Sequence, residues 1–317
     1  MIRRMVALRD YNPNLTTVIA IGGWNEGSTK YSAMASDPAK RAVFVQSVLE
    51  FLDFHSLDGL DIDWEYPTMA AVGDQPREPG RADDKKDYIS LIKELRAAFE
   101  PYGYVLSAAV SANEAIALNA YEFVELSNSL DSINLMAYDF HGAWDSVTSH
   151  NAPLYPKPGA TGQNFTFTTS YGTQVFLNNG VDPKKLILGV PFYGRTFTLA
   201  NSANFGYNAP THGPGKYGPV TNIAGMLGYN EICSMNEYTR VFDQDIKAPY
   251  KYFSDQWIGY DDVESVGLKL DFALSKQLGG ALIWSIDTDD FTGRCGSKYP
   301  LLKVVSGKLN GSKFYKN

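Results

Sequence analysis

Cysteine is scarce in this sequence, and Cys233 and Cys295 are its only two. Two cysteines cannot build a disulfide-based mini-fold, and this pair lacks the CxxC spacing of zinc and redox sites. They are either two separate buried thiols or, if the protein is secreted, one disulfide, which an oxidising compartment favours. Such a bridge would stabilise the fold by about 4 kcal/mol, because it closes a long loop.

Long apolar runs and excess positive charge are also missing. No stretch approaches the roughly 18 apolar residues that span a bilayer, and residues 1–8 are too short for a signal-peptide core and are predicted to end a helix. With a net charge of −7, the chain has no electrostatic footprint for nucleic acid and little attraction to anionic membranes. A neutral ligand fits better. The sequons at Asn14, Asn164 and Asn310 support secretion weakly.

What the sequence does contain is a globular composition, 44% hydrophobic over 317 residues, in which short β-branched runs alternate with amphipathic stretches. This alternation predicts an α/β fold with a parallel sheet. Six strands are predicted, at 17–22, 57–65, 104–110, 132–137, 186–191 and 280–286. Helical patterns lie at 37–55, 83–99, 171–177 and 263–277.

Local signals add detail to the first two helices. Asp37 is predicted to cap the first helix, with Pro38 in its first turn. The charges at 83–87 that open the second helix are interpreted as a solvated face. The predicted apolar stripe of the first helix consists of Phe44, Val48, Phe51, Leu52 and His55.

The interval between residues 193 and 280 is too long for one crossover helix, so residues 194–256 are predicted to form an inserted subdomain. Six strands fit a (β/α) barrel better than a doubly wound sheet, but such a barrel needs eight. The two missing strands are therefore expected upstream of a chain that opens mid-helix. We expect the resulting open strand edges to make this chain less stable than a complete relative.

The run from Asp58 to Tyr66, DGLDIDWEY, contains three acids at alternate positions. Because side chains alternate along a strand, Asp61, Asp63 and Glu65 share one face and repel one another when ionised. Such crowding raises the pKa of at least one carboxyl group, which can then keep a proton for a leaving group. Glu65 is the predicted donor, because it is nearest the carboxyl end of the strand, where barrel enzymes bind substrate.

Structural salt bridges and a metal site are the alternative interpretations of these acids. Calcium or magnesium would accept carboxylate oxygens, but the run lacks the glycine-turned loop of an EF-hand, and no histidine lies nearby. We therefore predict neither a metal nor another cofactor.

The same run matches the DxxDxDxE signature of glycoside hydrolase family 18, and the chain resembles the animal, arthropod branch of that family over nearly its whole length. The resemblance implies a TIM (β/α)8 barrel that lacks its first two strands here, with a small α+β insertion after the seventh strand. The barrel would comprise residues 1–193 and 257–317, and the insertion 194–256. Four further blocks follow the family's order: Ala20-Ile-Gly-Gly-Trp24, Met136-Ala-Tyr-Asp139, Pro191-Phe-Tyr-Gly-Arg195 and Ile283-Trp-Ser-Ile-Asp287.

The resemblance also implies an activity, that of an endo-acting chitinase that cleaves β-1,4-linked N-acetylglucosamine polymers with retention. Glu65 would protonate the glycosidic oxygen while the sugar's own N-acetyl group attacks the anomeric carbon, an exception to the two-carboxylate rule. Asp63 would orient and stabilise that group, and Asp61 would tune Asp63. Tyr138 would hydrogen-bond the acetamido oxygen.

The resemblance also implies that several residues of this chain, most of them aromatic, line a substrate cleft. Because sugar rings pack their C–H faces on flat aromatic rings, Trp284 would form the floor of the cleavage subsite. For each aromatic residue taken alone, core packing is the alternative. The other cleft residues would be Trp24, Tyr66, Met136, Asp139, Tyr193, Arg195 and Trp257.

Chitin or chito-oligosaccharides are thus the expected partners of a monomeric, extracellular protein. The alternatives are a chitin-binding, lectin-like relative with a dead site, an inactive truncated chitinase, and an endo-N-acetylglucosaminidase that acts on glycoprotein glycans. Glu65, Asp63 and Tyr138 argue against the lectin, because such relatives typically lack the donor glutamate. The aromatic blocks favour a linear polymer over a glycan.

Overall fold

The computed structural model describes residues 1–68 and 80–311. Residues 69–79 and 312–317, which include the last residue of the Asn310 sequon, lie outside this part. The described strands are β1 (Val18–Gly22), β2 (Gly59–Asp63), β3 (Val105–Ser111), β4 (Ser132–Met136), β5 (Leu186–Pro191), β6 (Tyr193–Leu199), β7 (Thr211–Pro214), β8 (Met226–Gly228), β9 (Thr239–Asp243), β10 (Ala248–Phe253), β11 (Gln256–Gly259) and β12 (Gly280–Trp284). The described α-helices are α1 (Ile2–Val6), α2 (Thr29–Ala35), α3 (Pro38–His55), α4 (Asp84–Phe99), α5 (Glu114–Ala120), α6 (Phe123–Ser129), α7 (Gln163–Thr166), α8 (Thr169–Asn178), α9 (Tyr229–Ile232), α10 (Val263–Ser275) and α11 (Pro300–Gly311).

All six predicted strands are present in one sheet, whose strand order is β1-β2-β3-β4-β5-β12. The pairs β1–β2, β2–β3 and β5–β12 are parallel, and helices occur between successive strands, which confirms the α/β class. Strand β2 ends at Asp63, two residues before the predicted end, because its pairing with β1 stops there. Glu65 therefore follows the strand and is not part of it.

Helix α3 begins as its sequence predicts. The side chain of Asp37 accepts hydrogen bonds from the backbone nitrogens of Ala39 (2.9 Å) and Lys40 (3.4 Å), and proline occupies the first turn. Val48 and Leu52 are buried. Phe51 is 41% exposed, so the predicted apolar stripe is wrong at this position.

Helix α4 buries the predicted apolar face, but the interpretation of its first turn as a solvated face is wrong at Asp84. This residue has no exposed surface. Its carboxylate accepts hydrogen bonds from the hydroxyl of Ser32 (2.6 Å) and from the backbone nitrogens of Arg81 (2.8 Å) and Thr68 (3.2 Å). A charged pattern at a helix start could not reveal these partners, because all three lie outside the helix, and Ser32 and Thr68 are 52 and 16 residues away in sequence.

The chain folds into two compact units. The first comprises Met1–Asn134 with Phe176–Leu186, and the second comprises Leu135–Val175 with Ile187–Asn317. These boundaries differ from those of the predicted barrel and insertion. The division into a barrel and an insertion stays a prediction.

A second, antiparallel sheet lies within the second unit, with the order β7-β6-β11-β10-β9 and with β8 paired to β6. It extends from Tyr193 to Gly259, close to the predicted subdomain at 194–256. The apolar residues that form the core of this sheet are Phe197, Leu199, Ala209, Tyr250 and Trp257.

Cys233 and Cys295 form a disulfide with their Cα atoms 5.9 Å apart, which confirms the predicted bridge. The bond joins the end of α9 to the loop before α11. The buried Asp290 organises that loop, because its carboxylate accepts hydrogen bonds from the backbone nitrogens of Gly293 (2.8 Å), Arg294 (3.1 Å) and Cys295 (2.8 Å).

Among the described residues, no helix is both long and apolar enough to cross a lipid bilayer.

We expect replacement of both Cys233 and Cys295 by alanine to lower the free energy of unfolding by about 2–4 kcal/mol, because the bridge closes a long loop. The two cysteines are 62 residues apart in sequence. Urea unfolding followed by circular dichroism measures the difference. Dithiothreitol should destabilise the wild type by a similar amount and leave the double variant unchanged. Equal stability of the oxidised and reduced wild type would contradict this expectation.

Candidate functional site

The carboxyl end of β2 places two acids on one face and apolar side chains on the other. Asp61 and Asp63 are half-buried, while Leu60, Ile62 and Trp64 are at most 3% exposed. This alternation confirms that the two aspartates share a face. Glu65 is half-buried and lies in the turn that follows the strand.

Asp61 is hydrogen-bonded to side chains of the next two strands of the sheet. Its Oδ1 atom accepts from the hydroxyl of Ser107 on β3 (2.5 Å) and from the side-chain amide of Asn134 on β4 (2.8 Å). Burial raises the pKa of Asp61, and these two hydrogen bonds oppose that rise. The sequence interpretation missed Ser107 and Asn134, because the strand register that places Ser107 opposite Asp61 is a property of the folded sheet.

Asp63 carries a large pKa shift. Burial, followed by the charges of Glu65 and Asp61, raises its pKa from 3.8 to about 7. Its Oδ1 atom has no hydrogen-bond partner within the described ranges. A carboxyl group in this state keeps a proton over much of the acidic and neutral range.

The end of β1 approaches this aspartate closely enough to require glycine. The backbone nitrogen of Gly23 donates to the carbonyl oxygen of Asp63 at 2.7 Å. Gly22 has φ +113°, and a Cβ atom there would lie 2.1 Å from the same oxygen. The Gly-Gly pair of the first family block therefore serves backbone contact. Trp24, which follows it, is 39% exposed.

Tyr66 lies beside the predicted donor. Burial, together with the charge of Glu65 and a hydrogen bond to it, raises the pKa of the Tyr66 phenol far above its usual value. The phenol therefore stays protonated and can donate to Glu65. The first unit thus brings together Trp24, Asp61, Asp63, Glu65 and Tyr66.

The second unit brings together another group of predicted residues. The Nε atom of Arg195 donates to the Oδ1 atom of Asp139 at 2.7 Å, and the guanidinium lies 5.5 Å from the ring of Tyr193. Burial disfavours the charged guanidinium, but Asp139 outweighs it and raises the pKa of Arg195. Tyr138 lies 6.2 Å from Tyr193, ring to ring.

One aromatic residue of this group was missed. The ring of Trp144 lies 5.2 Å from the Arg195 guanidinium and is 48% exposed. The available signal was its position, five residues after Asp139, the last residue of the block that begins at Met136.

Glycine at position 189 makes room for Tyr138. A Cβ atom there would lie 2.8 Å from the Cε1 atom of Tyr138 and 2.3 Å from the carbonyl oxygen of Leu135. The close packing of β5 on β4 thus determines where this phenol lies.

The remaining predicted cleft residues differ in exposure. Trp284, the last residue of β12, is 52% exposed, and Met136, the last residue of β4, is half-buried. Trp257 has no exposed surface: its ring stacks on Tyr250, and its indole nitrogen donates to the carbonyl oxygen of Phe205. The placement of Trp257 along a cleft is therefore corrected to core packing.

One group of potential metal ligands occurs in the described part of the chain, formed by Cys233, Asp290 and Cys295. The disulfide uses both sulfur atoms, and backbone amides occupy the carboxylate of Asp290. This donor set does not fit a metal ion, since thiolates are the form that binds one.

Comparison with known proteins places these features in a family. Residues 1–289 match the model of glycosyl hydrolases family 18. The chain is 40% identical over 314 residues to probable chitinase 10 of Drosophila melanogaster, covering 97% of this chain but 13% of that protein. It thus spans far less than two thirds of this relative's length.

Solved structures share the fold. The Group IV chitinase of Ostrinia furnacalis, crystallised with allosamidin, has a TM-score of 0.92 and 40% identity, over 98% of this chain and 83% of that one. Human YKL-39, described as a pseudo-chitinase with retained chitooligosaccharide binding, has a TM-score of 0.90 and 36% identity, over 98% and 85%. The match over most of the chain, together with the acids of β2, shows that this chain belongs to glycosyl hydrolase family 18.

Proposed function

We propose that the protein is a chitinase that hydrolyses β-1,4 bonds between N-acetylglucosamine units, with Glu65 as the proton donor. The observation that carries this proposal is the array of Asp61, Asp63 and Glu65, in which burial and the two neighbouring charges raise the pKa of Asp63 to about 7. Such an array keeps a proton next to the group that must donate one. Family membership supports the same class of reaction.

The proposed reaction is substrate-assisted, as in other members of this family. Glu65 gives its proton to the glycosidic oxygen as the bond from that oxygen to the anomeric carbon breaks. The acetamido oxygen of the same sugar bonds to that carbon and forms an oxazolinium ion, whose charge Asp63 stabilises under the influence of Asp61. Tyr138 hydrogen-bonds the acetamido group. Water then opens the ring, and Glu65 accepts its proton.

Exposed indoles are the proposed platforms for the sugar rings, because flat apolar surfaces pack against sugar C–H faces. Trp24 and Trp284 keep the roles that their blocks imply, and we add Trp144, whose ring is 48% exposed. Trp257 is left out, because its ring is fully buried. The polar and flanking contacts are proposed for Tyr66, Met136, Asp139, Tyr193 and Arg195.

The setting of this activity is proposed to be extracellular, because a disulfide persists in oxidising compartments. We further propose a monomer with a catalytic barrel, residues 1–193 and 257–317, and an insertion domain, residues 194–256. The antiparallel sheet between Tyr193 and Gly259 supports the latter.

A second candidate function is binding of chito-oligosaccharides without hydrolysis. The likeness to human YKL-39, which is described as a pseudo-chitinase, favours it. The presence of Glu65, Asp63 and Tyr138 favours the hydrolase.

Replacing Glu65 by glutamine should lower kcat by at least about 10²-fold, because general acid catalysis contributes that much or more. Binding should persist, since the amide keeps the shape of the side chain. Release of a fluorophore from a chito-oligosaccharide measures turnover, and calorimetry of an unlabelled oligomer measures binding. Glu50→Gln, an exposed position on α3, is the matched control. Undiminished turnover of Glu65→Gln would refute the role of Glu65, and a wild type that binds without turnover would favour the second candidate.

Replacing Asp63 by asparagine should stabilise the protein increasingly as the pH rises from about 4 to about 7. Below pH 3.8, the ordinary pKa of this group, both the folded and unfolded chains hold the proton. Above pH 3.8 the unfolded chain releases this proton while the folded chain still holds it. The wild type therefore loses stability as the pH rises towards the folded pKa of about 7. The difference should reach roughly 2–4 kcal/mol, since one pKa unit corresponds to about 1.4 kcal/mol.

Urea unfolding of both proteins between pH 4 and pH 8 measures this difference. A difference in unfolding free energy that does not change with pH would show that Asp63 titrates normally, and the proposed proton-holding array would then be wrong.

A further inference from the structure

Residues Glu65 to Thr68, which begin two positions after the end of β2 at Asp63, form what we call the donor turn. This turn has no strand partner, because β2 ends at Asp63. A donor in a loop must still be placed to within a fraction of an ångström for proton transfer. Side chains from neighbouring segments hold the donor turn in place instead of strand pairing.

Ser28 contacts the chain on both sides of Glu65. The indole nitrogen of Trp64 donates to the Ser28 hydroxyl at 3.1 Å, and that hydroxyl donates to the carbonyl oxygen of Tyr66 at 2.9 Å. The Trp64 ring is 1% exposed and packs between Tyr31 and Tyr88. One hydroxyl thus links the side chain before the donor to the backbone after it.

Asp84 fixes the far end of the donor turn. Its Oδ2 atom accepts from the backbone nitrogens of Thr68 (3.2 Å) and Arg81 (2.8 Å), and its Oδ1 atom accepts from Ser32 (2.6 Å). The packing leaves no room for a side chain beside it, because a Cβ atom at Gly80 would lie 2.5 Å from Oδ2.

Thr68 shows that this end of the turn is held under strain. It has φ +69°, a left-handed conformation that is an outlier for a β-branched residue. Such conformations persist only where the surroundings determine them, and they concentrate at functional sites. The charge-assisted hydrogen bond from its nitrogen to Asp84 is such a determinant.

Both side chains that hold the donor turn are buried. Asp84 has no exposed surface, and Ser28 is 5% exposed. Both residues act on the same four-residue turn from separate positions, α4 and the residue before α2.

We propose that Ser28 and Asp84 are positioning residues of the hydrolytic site, which fix the donor turn and thereby aim the carboxyl group of Glu65. The proposal rests on the proposed hydrolysis of chito-oligosaccharides. Neither residue touches the reacting atoms; each acts through the backbone that carries Glu65.

The test compares Ser28→Ala, Asp84→Ala and Asp84→Asn with the wild type and with Glu65→Gln, in the full chain. Fluorogenic chito-oligosaccharide hydrolysis gives kcat and KM at a temperature at which circular dichroism shows each protein to be folded. Because a misplacement of about 1 Å can cost 10²-fold in rate, we expect kcat to fall about 10- to 100-fold in the two alanine variants. KM should change little, since no substrate contact is removed. Asp84→Asn should recover most of the loss, because its amide can donate to Ser32 while its oxygen accepts from the backbone.

Asp131→Ala is the control for loss of a carboxylate that accepts from the backbone elsewhere in this unit. This carboxylate also accepts from a backbone nitrogen, that of Leu106 (2.8 Å), and from Arg96 (2.8 Å) in the same unit, but near the amino-terminal end of β3. It should lower the melting temperature with kcat unchanged.

Alanine variants with the kcat of the wild type would overturn the proposal, as would a loss of kcat in Asp131→Ala as large as that in Asp84→Ala. If Asp84→Ala does not fold, Ser28→Ala decides by the same criteria. A wild type without turnover would refute the proposed hydrolysis itself, which separates the two failures.

Discussion

Asp61, Asp63 and Glu65 bring three carboxyl groups to the carboxyl end of one strand, where burial disfavours the ionised forms of both aspartates and the neighbouring charges of Glu65 and Asp61 add repulsion at Asp63. The rest of the site depends on how this repulsion is relieved. Asp61 receives hydrogen bonds from Ser107 and Asn134 on the two following strands of the sheet. Asp63 is relieved differently, because a pKa near 7 lets it keep a proton. The unfavourable free energy that remains lowers the stability of the fold, and such a loss of stability is common at active sites.

Side-chain carboxylates order loops in both units. In the first unit, Asp84 accepts backbone hydrogen bonds at the end of the donor turn. In the second, Asp290 accepts three from the loop that carries Cys295, and Asp139 pairs with Arg195. A carboxylate has several acceptor positions and can satisfy several backbone donors at once, which suits irregular segments whose amides lack strand or helix partners.

The interpretations that failed concern residues whose environment is non-local. Asp84 has the appearance of a solvated charge at a helix start, yet it is buried by Ser32 and by the turn before the helix. Phe51 follows the helical period but faces solvent, because periodicity gives an angle on the helix and not the extent of the partner surface. Trp257 is part of the apolar core of the antiparallel sheet, where β11 pairs with the distant β6 and Trp257 lies opposite Phe197, which no local pattern shows.

The sequence by itself determined the α/β class, the six parallel strands, the cap at Asp37 and the acids that share a face of β2. Each follows from short-range geometry, the period of a strand or helix or the reach of a capping side chain. It also contained the family signature, since that is a linear pattern. Only the tertiary structure decided the pKa of Asp63, the partners of Asp61, the burial of Asp84 and Trp257, and the contacts that order the donor turn. The physical reason is that desolvation, charge repulsion and hydrogen bonding depend on distances between residues far apart in the chain, which folding alone brings together.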